Sequence, residues 1–511
     1  MEHFSTLMRR NVSRRTALRG GLIGGLALAT LRRSVWAAQS DLIPEVTIDL
    51  TAEPANLDPA TTYDRDGWSV IHSVYDSLVQ FGPDGEMEPL LAESLTWLDP
   101  QTYEIKLRSG LTFHNGDPVD AAAVAFSVAH VRDHPASQVA GQFAVISDIE
   151  EVDSLTVRLK LSQPAPWLPA QMAAWLAILP PGYATSNEAL AKPVGTGPYR
   201  FVEWKPGERI VLEVNPAPLA GSPKGQPIAE RVIVRFVPEG STRVADLLSG
   251  TSQLIRDVPV DQVGTVEDAG ATVVAAPISG SAWIRIPTDV APFSDVRVRQ
   301  ALNYAVDVEA IIDALLGGNG QRLPNIFAPG GLGFDPSLEP YPYDPERAKA
   351  LLAEAGYGDG FETALDIAAS EHQDISEAVA GQLGEVGVKV TVQRQELANF
   401  NATWTDPESA PLRMVTWRPL FDPYTLLSLI FSNQGFLSRH NNPNAQPLID
   451  AFATEVDPSK RAEVARQLGA VLRDEPAAIY LYSLTGLYGV AANFPAWTPR
   501  PDEYIIPTVR G

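Results

Sequence analysis

Between Asp374 and Val392 the hydrophobic period changes from that of a helix to that of a strand within two residues. Ile375, Val379, Leu383 and Val386 fall on one helical face, Gly387 interrupts it, and Val388-Lys389-Val390-Thr391-Val392 alternates with period two. A helix that feeds directly into a strand is an αβ unit, and chains built from such units fold as sheets with helices packed on them. Similar signals recur. Residues 45–50, 103–107 and 155–159 alternate as strands. Asp120 is placed to cap a helix that buries Val124, Val128 and Val131. Asp344-Pro345 and Asp457-Pro458 put an acceptor at the N-cap and proline at the first helical position, and Gly356 ends the first of these two helices. At 511 residues the chain exceeds one core and calls for two or three domains of about 150 residues. Pro- and Gly-rich stretches at 82–85, 216–227 and 317–340 are expected on the surface, some as lids.

The first 37 residues read differently. Ser13-Arg14-Arg15-Thr16-Ala17-Leu18-Arg19 precedes an apolar, glycine-rich stretch at 20–31, then Val35-Trp36-Ala37. This order predicts a twin-arginine export signal cleaved after Ala37, because the apolar stretch falls well short of the ~20 residues a membrane span needs. Cleavage there removes seven arginines and one glutamate and moves the formal charge from -23 to -29. So acidic a surface repels phosphate backbones, and no basic stripe follows, which excludes nucleic acid and anionic lipid as partners. The chain has no cysteine, so disulfides, thiolate catalysis and cysteine-bound metals are excluded as well.

Catalytic signatures are missing. There is no H-E-x-x-H, G-x-S-x-G or Walker loop, and His130 and His134, although at i, i+4 spacing, end against Pro135. No catalytic residue, metal site or cofactor is assigned. His114, beside the turn signal Asn115-Gly116, is expected to satisfy local hydrogen bonds. Gly195 and Gly197 are expected to supply the positive φ of a tight turn ahead of Pro198.

Four segments together resemble one family. They are Leu57-Asp58-Pro59 with Tyr75-Asp76-Ser77-Leu78-Val79, the hairpin from Tyr103 to Pro118, the stretch Pro193-Val194-Gly195-Thr196-Gly197-Pro198-Tyr199, and Asp295 to Asp307 after Pro292-Phe293. In kind and order they resemble family 5 of the extracytoplasmic solute-binding proteins, the peptide- and nickel-type receptors of ABC importers. The resemblance implies a two-lobed α/β periplasmic binding protein fold of cluster C type with an extra inserted domain. It places lobe one at 41–57, 186–280 and 481–511, the inserted domain at 58–185 and lobe two at 281–480. Crossing strands are expected near 280–286 and 479–484.

The resemblance further implies a periplasmic, monomeric binding protein, not an enzyme, that captures a peptide-like or other small polar organic solute between its lobes and delivers it to a membrane permease. In the family's W-x-x-D-x-x-D-P stretch the first aspartate binds a peptide's ammonium. Here Trp417 and Asp422-Pro423 match, but Pro419 stands where that aspartate would, with Arg418 beside it. A carboxylate or phosphate would gain a bidentate partner from Arg418. Tyr63, Trp283, Arg285, Trp417, Arg418 and Asp422 are the expected ligand-binding residues, the plain alternative being that both tryptophans are core and Arg285 a surface charge. The rival function is an exported cofactor- or metal-dependent enzyme, for which retained metal or absorbance would be the sign.

Overall fold

In a computed structural model of the chain, which describes residues 42–181, 192–369, 371–418 and 421–510, the acidic residues expected as helix caps hold that position. Asp120 accepts from the Ala123 amide at 3.0 Å ahead of helix Ala121–Asp133. Asp344 accepts from Arg347 at 2.9 Å, and Asp457 from Ser459 and Lys460 at 3.0 Å, ahead of helices that begin at Pro345 and Pro458. Each cap satisfies amides that the first turn leaves without an intrahelical partner. The predicted export signal lies outside the described residues.

The αβ unit closes as expected. Helix Gln373–Glu385 buries Ile375, Val379 and Leu383, and strand Val388–Gln395 lies parallel to Phe361–Ala368. Both belong to a ten-stranded sheet. At its centre Thr272–Arg285 and Ala478–Val490 run antiparallel, paired from Thr272 with Val490 to Pro277 with Thr485, and again from Ser281 with Ser483 to Arg285 with Ala478. Between these runs residues 278–280 oppose Leu484 alone, a bulge that breaks the ladder. A Cβ on Gly280 would stand 2.7 Å from Leu484 and 2.9 Å from the Trp417 carbonyl, so only glycine fits there.

On one side of the break the sheet continues through Leu412–Trp417, Phe361–Ala368 and Val388–Gln395. On the other it continues through Leu254–Ile255, Ile43–Leu50, Ala229–Phe236, Arg209–Val214 and Tyr199–Lys205. A separate antiparallel sheet, ordered Ala92–Asp99, Thr102–Leu107, Thr156–Leu161 and Ile146–Asp153, packs with helix Ala121–Asp133 around its own apolar core. Val157, Leu159 and Leu161 face that core, and Arg158 pairs with Glu104 opposite it at 2.8 Å.

Two expectations are corrected. Neither Gly195 nor Gly197 adopts positive φ. A Cβ on Gly195 would lie 2.1 Å from the Val74 carbonyl oxygen, and one on Gly197 2.7 Å from that of Ser73. Glycine is required there by close approach of another backbone, and His114 closes the same junction. Its Nδ1 accepts from the Gly195 amide at 3.3 Å, which leaves the proton on Nε2 to donate to the Gly197 carbonyl at 3.0 Å. The second correction concerns 317–340, part of which is core. Leu323, Ile326, Phe327 and Ala328 are fully buried.

Candidate ligand cleft

The cleft is built around the break in the sheet. A cavity of about 490 Å³ is lined by Ile278, Tyr482, Leu484 and Leu487 of the two central strands, by Asp257–Val260 from one side and by Glu371, Thr416 and Arg418 from the other. That volume falls within the range of small-molecule sites.

Four charged side chains meet at its wall. Arg65 opens helix Arg65–Val74, which Asp64 caps by accepting from Gly67. Its guanidinium donates to Asp257 with one arm and to Glu503 at 2.9 Å with the other. Glu503, almost fully buried, also accepts from Arg418 at 3.1 and 3.3 Å. One carboxylate thus bridges two arginines that come from opposite sides of the cavity. Burial alone would raise the Asp257 carboxyl, but Arg65, Arg256 and Arg418 together hold it below its ordinary value.

The backbone at this wall is strained. Asp257 and Glu503, at φ 53° and 64°, are the only non-glycine residues with positive φ among the described residues. Each such conformation costs on the order of 1–3 kcal/mol and persists only where the surroundings impose it. For Asp257 the clamp is Arg243, whose guanidinium donates to the carbonyls of Val237, Pro238, Arg256 and Asp257 at 2.7 to 2.9 Å. Glu371, held by the Thr416 hydroxyl at 2.8 Å, adds a third carboxylate to the lining. The cavity therefore offers both signs of charge.

Arg418 also lines a narrower slot of about 40 Å³ with Tyr63, Gln171, Trp175, Trp417 and Asp422. Tyr63 stacks on Trp175 with centroids 5.0 Å apart, and the buried Trp68 supports Trp175 edge-on at 5.3 Å.

Of the residues expected from sequence, Tyr63, Trp417, Arg418 and Asp422 come together in this slot. Asp422 is nonetheless engaged elsewhere. Arg461 donates to both its oxygens at 2.5 and 3.0 Å, and it accepts from the Tyr424 amide. Trp283 and Arg285 line neither cavity and are corrected as cleft residues. Trp283 is fully buried against Phe431, with centroids 5.4 Å apart. Arg285 is 3% exposed and donates to the Trp404 and Pro411 carbonyls at 3.0 and 3.4 Å, so it is no surface charge either. Burial, with Arg413 and Arg439 adding to it, pushes its guanidinium down to about 9. Pro419 lies outside the described residues. Sequence reasoning missed Arg65, Asp257, Glu503, Gln171 and Trp175. Only Arg65 carried a local signal, standing two residues after Tyr63; the others arrive from distant segments.

A two-lobed α/β fold of the periplasmic binding protein type is the class this architecture defines. Residues 86–438 match the family described as bacterial extracellular solute-binding proteins, family 5, and the chain belongs to that family. It is 32% identical over 378 residues to the glutathione-binding protein GsiB of Pectobacterium atrosepticum, covering 72% of this chain and 71% of that one. It is 28% identical to the heme-binding protein A of Haemophilus influenzae, covering 88% of each. The solved structure of HbpA2 from Haemophilus parasuis superposes with a TM-score of 0.78 at 26% identity, over 90% of this chain and 98% of that one.

Proposed function

We propose that this protein is the periplasmic receptor of an ABC importer, acting as a monomer without catalysing a reaction, and that its solute is a small, peptide-like molecule carrying both a carboxylate and an ammonium. The observation that carries the ligand class is the wall where Glu503 bridges Arg65 and Arg418 with Asp257 alongside. Arg418 is not a free cation waiting for an anion. A ligand carboxylate can take the place of Glu503 on Arg418 while its ammonium faces Glu503 or Asp257, so every charge stays paired. A pure anion would leave Glu503 with one arginine fewer. Glutathione, named for relatives at 31 and 32% identity, is of this chemical kind.

The lobes in this reading are 41–57, 186–280 and 481–511 against 281–480, with 58–185 inserted, and the break at 278–280 is where they hinge. Ligand favours the closed arrangement by whatever its contacts there exceed the cost of closing. Export by the twin-arginine route follows from Arg14-Arg15 and the short apolar stretch behind them.

Thermal unfolding in the presence of glutathione and of small dipeptides tests the reading. A saturable rise in Tm, with the ligand recovered unchanged by mass spectrometry, is expected. Conversion of the ligand would identify an enzyme, and a response to dicarboxylates but to no zwitterion would overturn the ligand class.

A further inference from the structure

Segment 58–185 meets the two sheet halves through opposite chemistry. Toward 186–280 its joints are polar and buried. Lys224 lies 2.7 Å from the Asp76 carboxylate and donates to the His72 and Tyr75 carbonyls at 2.7 Å. Thr196 donates to Asp76 at 3.0 Å, and His114 closes the junction with Gly195 and Gly197 on either side of that threonine. Separation here would leave buried charges and carbonyls without partners, so this side stays joined. Toward 281–480 the contacts are ring faces. Phe421 stacks on Phe81 with centroids 3.9 Å apart, and Tyr424 stacks on Trp167 at 4.2 Å with planes 4° apart. Phe421 is a buried member of the apolar core of 58–185, whose other buried members lie between Ala60 and Ile178. Ring faces can part at a cost graded by the area they expose, with no charge or hydrogen bond orphaned.

The two rings are held from behind. Asp422, between them in sequence, accepts from both arms of Arg461 at 2.5 and 3.0 Å and from the Tyr424 amide at 3.0 Å. Arg461 stands on helix Pro458–Asp474 and also donates to the Phe452 carbonyl at 3.0 Å. We propose that Phe421 and Tyr424 form a latch that holds 281–480 against 58–185, with Asp422 and Arg461 as its positioning residues, and that the latch sets ligand affinity from outside the ligand's contacts. Tyr424 and Trp167 line neither cavity, so their stack acts on affinity only through closure. A site that binds only when shut has its affinity scaled by the shut fraction. The latch raises that fraction by the same contacts whatever the solute, which moves all affinities together and leaves the ranking of ligands untouched. The inference rests on the reading that the sheet halves hinge about 278–280.

Pulsed spin-label distance measurements on the full chain test it. The chain has no cysteine, so Glu151→Cys and Asp313→Cys, one exposed position in each segment, take the only two labels. Without added solute, Tyr424→Ala should lower the ratio of short to long distances about tenfold, the scale of an aromatic pair with its buried area. Tyr424→Phe, which keeps the ring, should match the wild type, and Asp422→Asn should shift the ratio in the same direction as Tyr424→Ala. Glutathione affinity, by calorimetry, should fall in each variant by the factor by which the short-distance population falls. An unchanged distance distribution in Tyr424→Ala beside a lowered Tm would reduce the stack to packing and overturn the latch. A shift in Tyr424→Phe as large as that in Tyr424→Ala would overturn it too, by tying the effect to the hydroxyl. If glutathione moves neither the distances nor Tm, the ligand reading falls, while the distances without solute still decide the latch.

Discussion

Trp283 with Arg285 and Trp417 with Arg418 are the same two residue types on neighbouring strands, and they end in opposite circumstances. Ser281 pairs with Trp417, Trp283 with Val415 and Arg285 with Arg413, so both tryptophans project from one face of the sheet, a single pleat repeat apart. Trp417 stands beside the bulge, where the sheet opens into the cleft. Trp283 stands two residues deeper, under Phe431, and is closed off completely. The arginines differ likewise: Arg285 spends its donors on main-chain carbonyls, whereas Arg418 meets the Glu503 carboxylate at the cavity wall. For the two tryptophans, distance from the break, and not residue type or strand face, separates the ring that is buried from the one that lines a cavity.

The widest expected gap between the two pairs is in stability. Trp283→Ala should cost about 3–5 kcal/mol in urea unfolding, the range for a fully buried tryptophan, with ligand affinity of the folded fraction unaltered. A change in affinity would put Trp283 back in the cleft. Arg285→Met should cost about 1–3 kcal/mol, because the Trp404 and Pro411 carbonyls lose their buried donor. A stabilised variant would mean that the burial of that charge outweighs its two hydrogen bonds. For Arg418→Ala the pattern inverts. Stability should move by less than about 1 kcal/mol, since the pair is partly exposed and Glu503 keeps Arg65, while affinity for a zwitterionic ligand drops about ten- to a hundredfold. Unchanged affinity by calorimetry would remove Arg418 from the site.

His114 extends the contrast to a group that titrates. Like Arg285 it is closed against the main chain, and burial pushes its imidazole down to about 4 from 6.5. Between those values the unfolded chain binds the proton that the folded chain refuses, so stability should fall as pH drops from about 6.5 to about 4 and level off below. His72 and His440, also lowered by burial, add to the same slope, so His114→Asn should reduce it in part, and an unchanged slope would assign it wholly to other groups.

Legibility in the sequence follows the range of the cause. Asp120, Asp344 and Asp457 were readable as caps because a cap acts within three residues, and the αβ unit at 373–395 because its two periods are local. Gly195 and Gly197 were rightly singled out but misexplained, since what forbids a side chain there is the backbone of Ser73 and Val74 more than a hundred residues away. The charged wall was least readable. Asp257, Glu503 and Arg418 are about 80 to 250 residues apart, and nothing beside any one of them announces the other two.

The bulge at 278–280 also has a mechanical meaning. Ladder hydrogen bonds on either side make each run of the central strands stiff, whereas the three residues facing Leu484 carry no ladder to break when the strands flex. This bulge is the longer of two interruptions of the central ladder, the other falling between Ala282 and Trp283, and the charged wall lies beside it. If the lobes hinge there, as proposed, a deflection of a few degrees at that joint would displace Arg418 relative to Glu503, and the residues that join the two sheet halves would also set how finely the cleft can be adjusted.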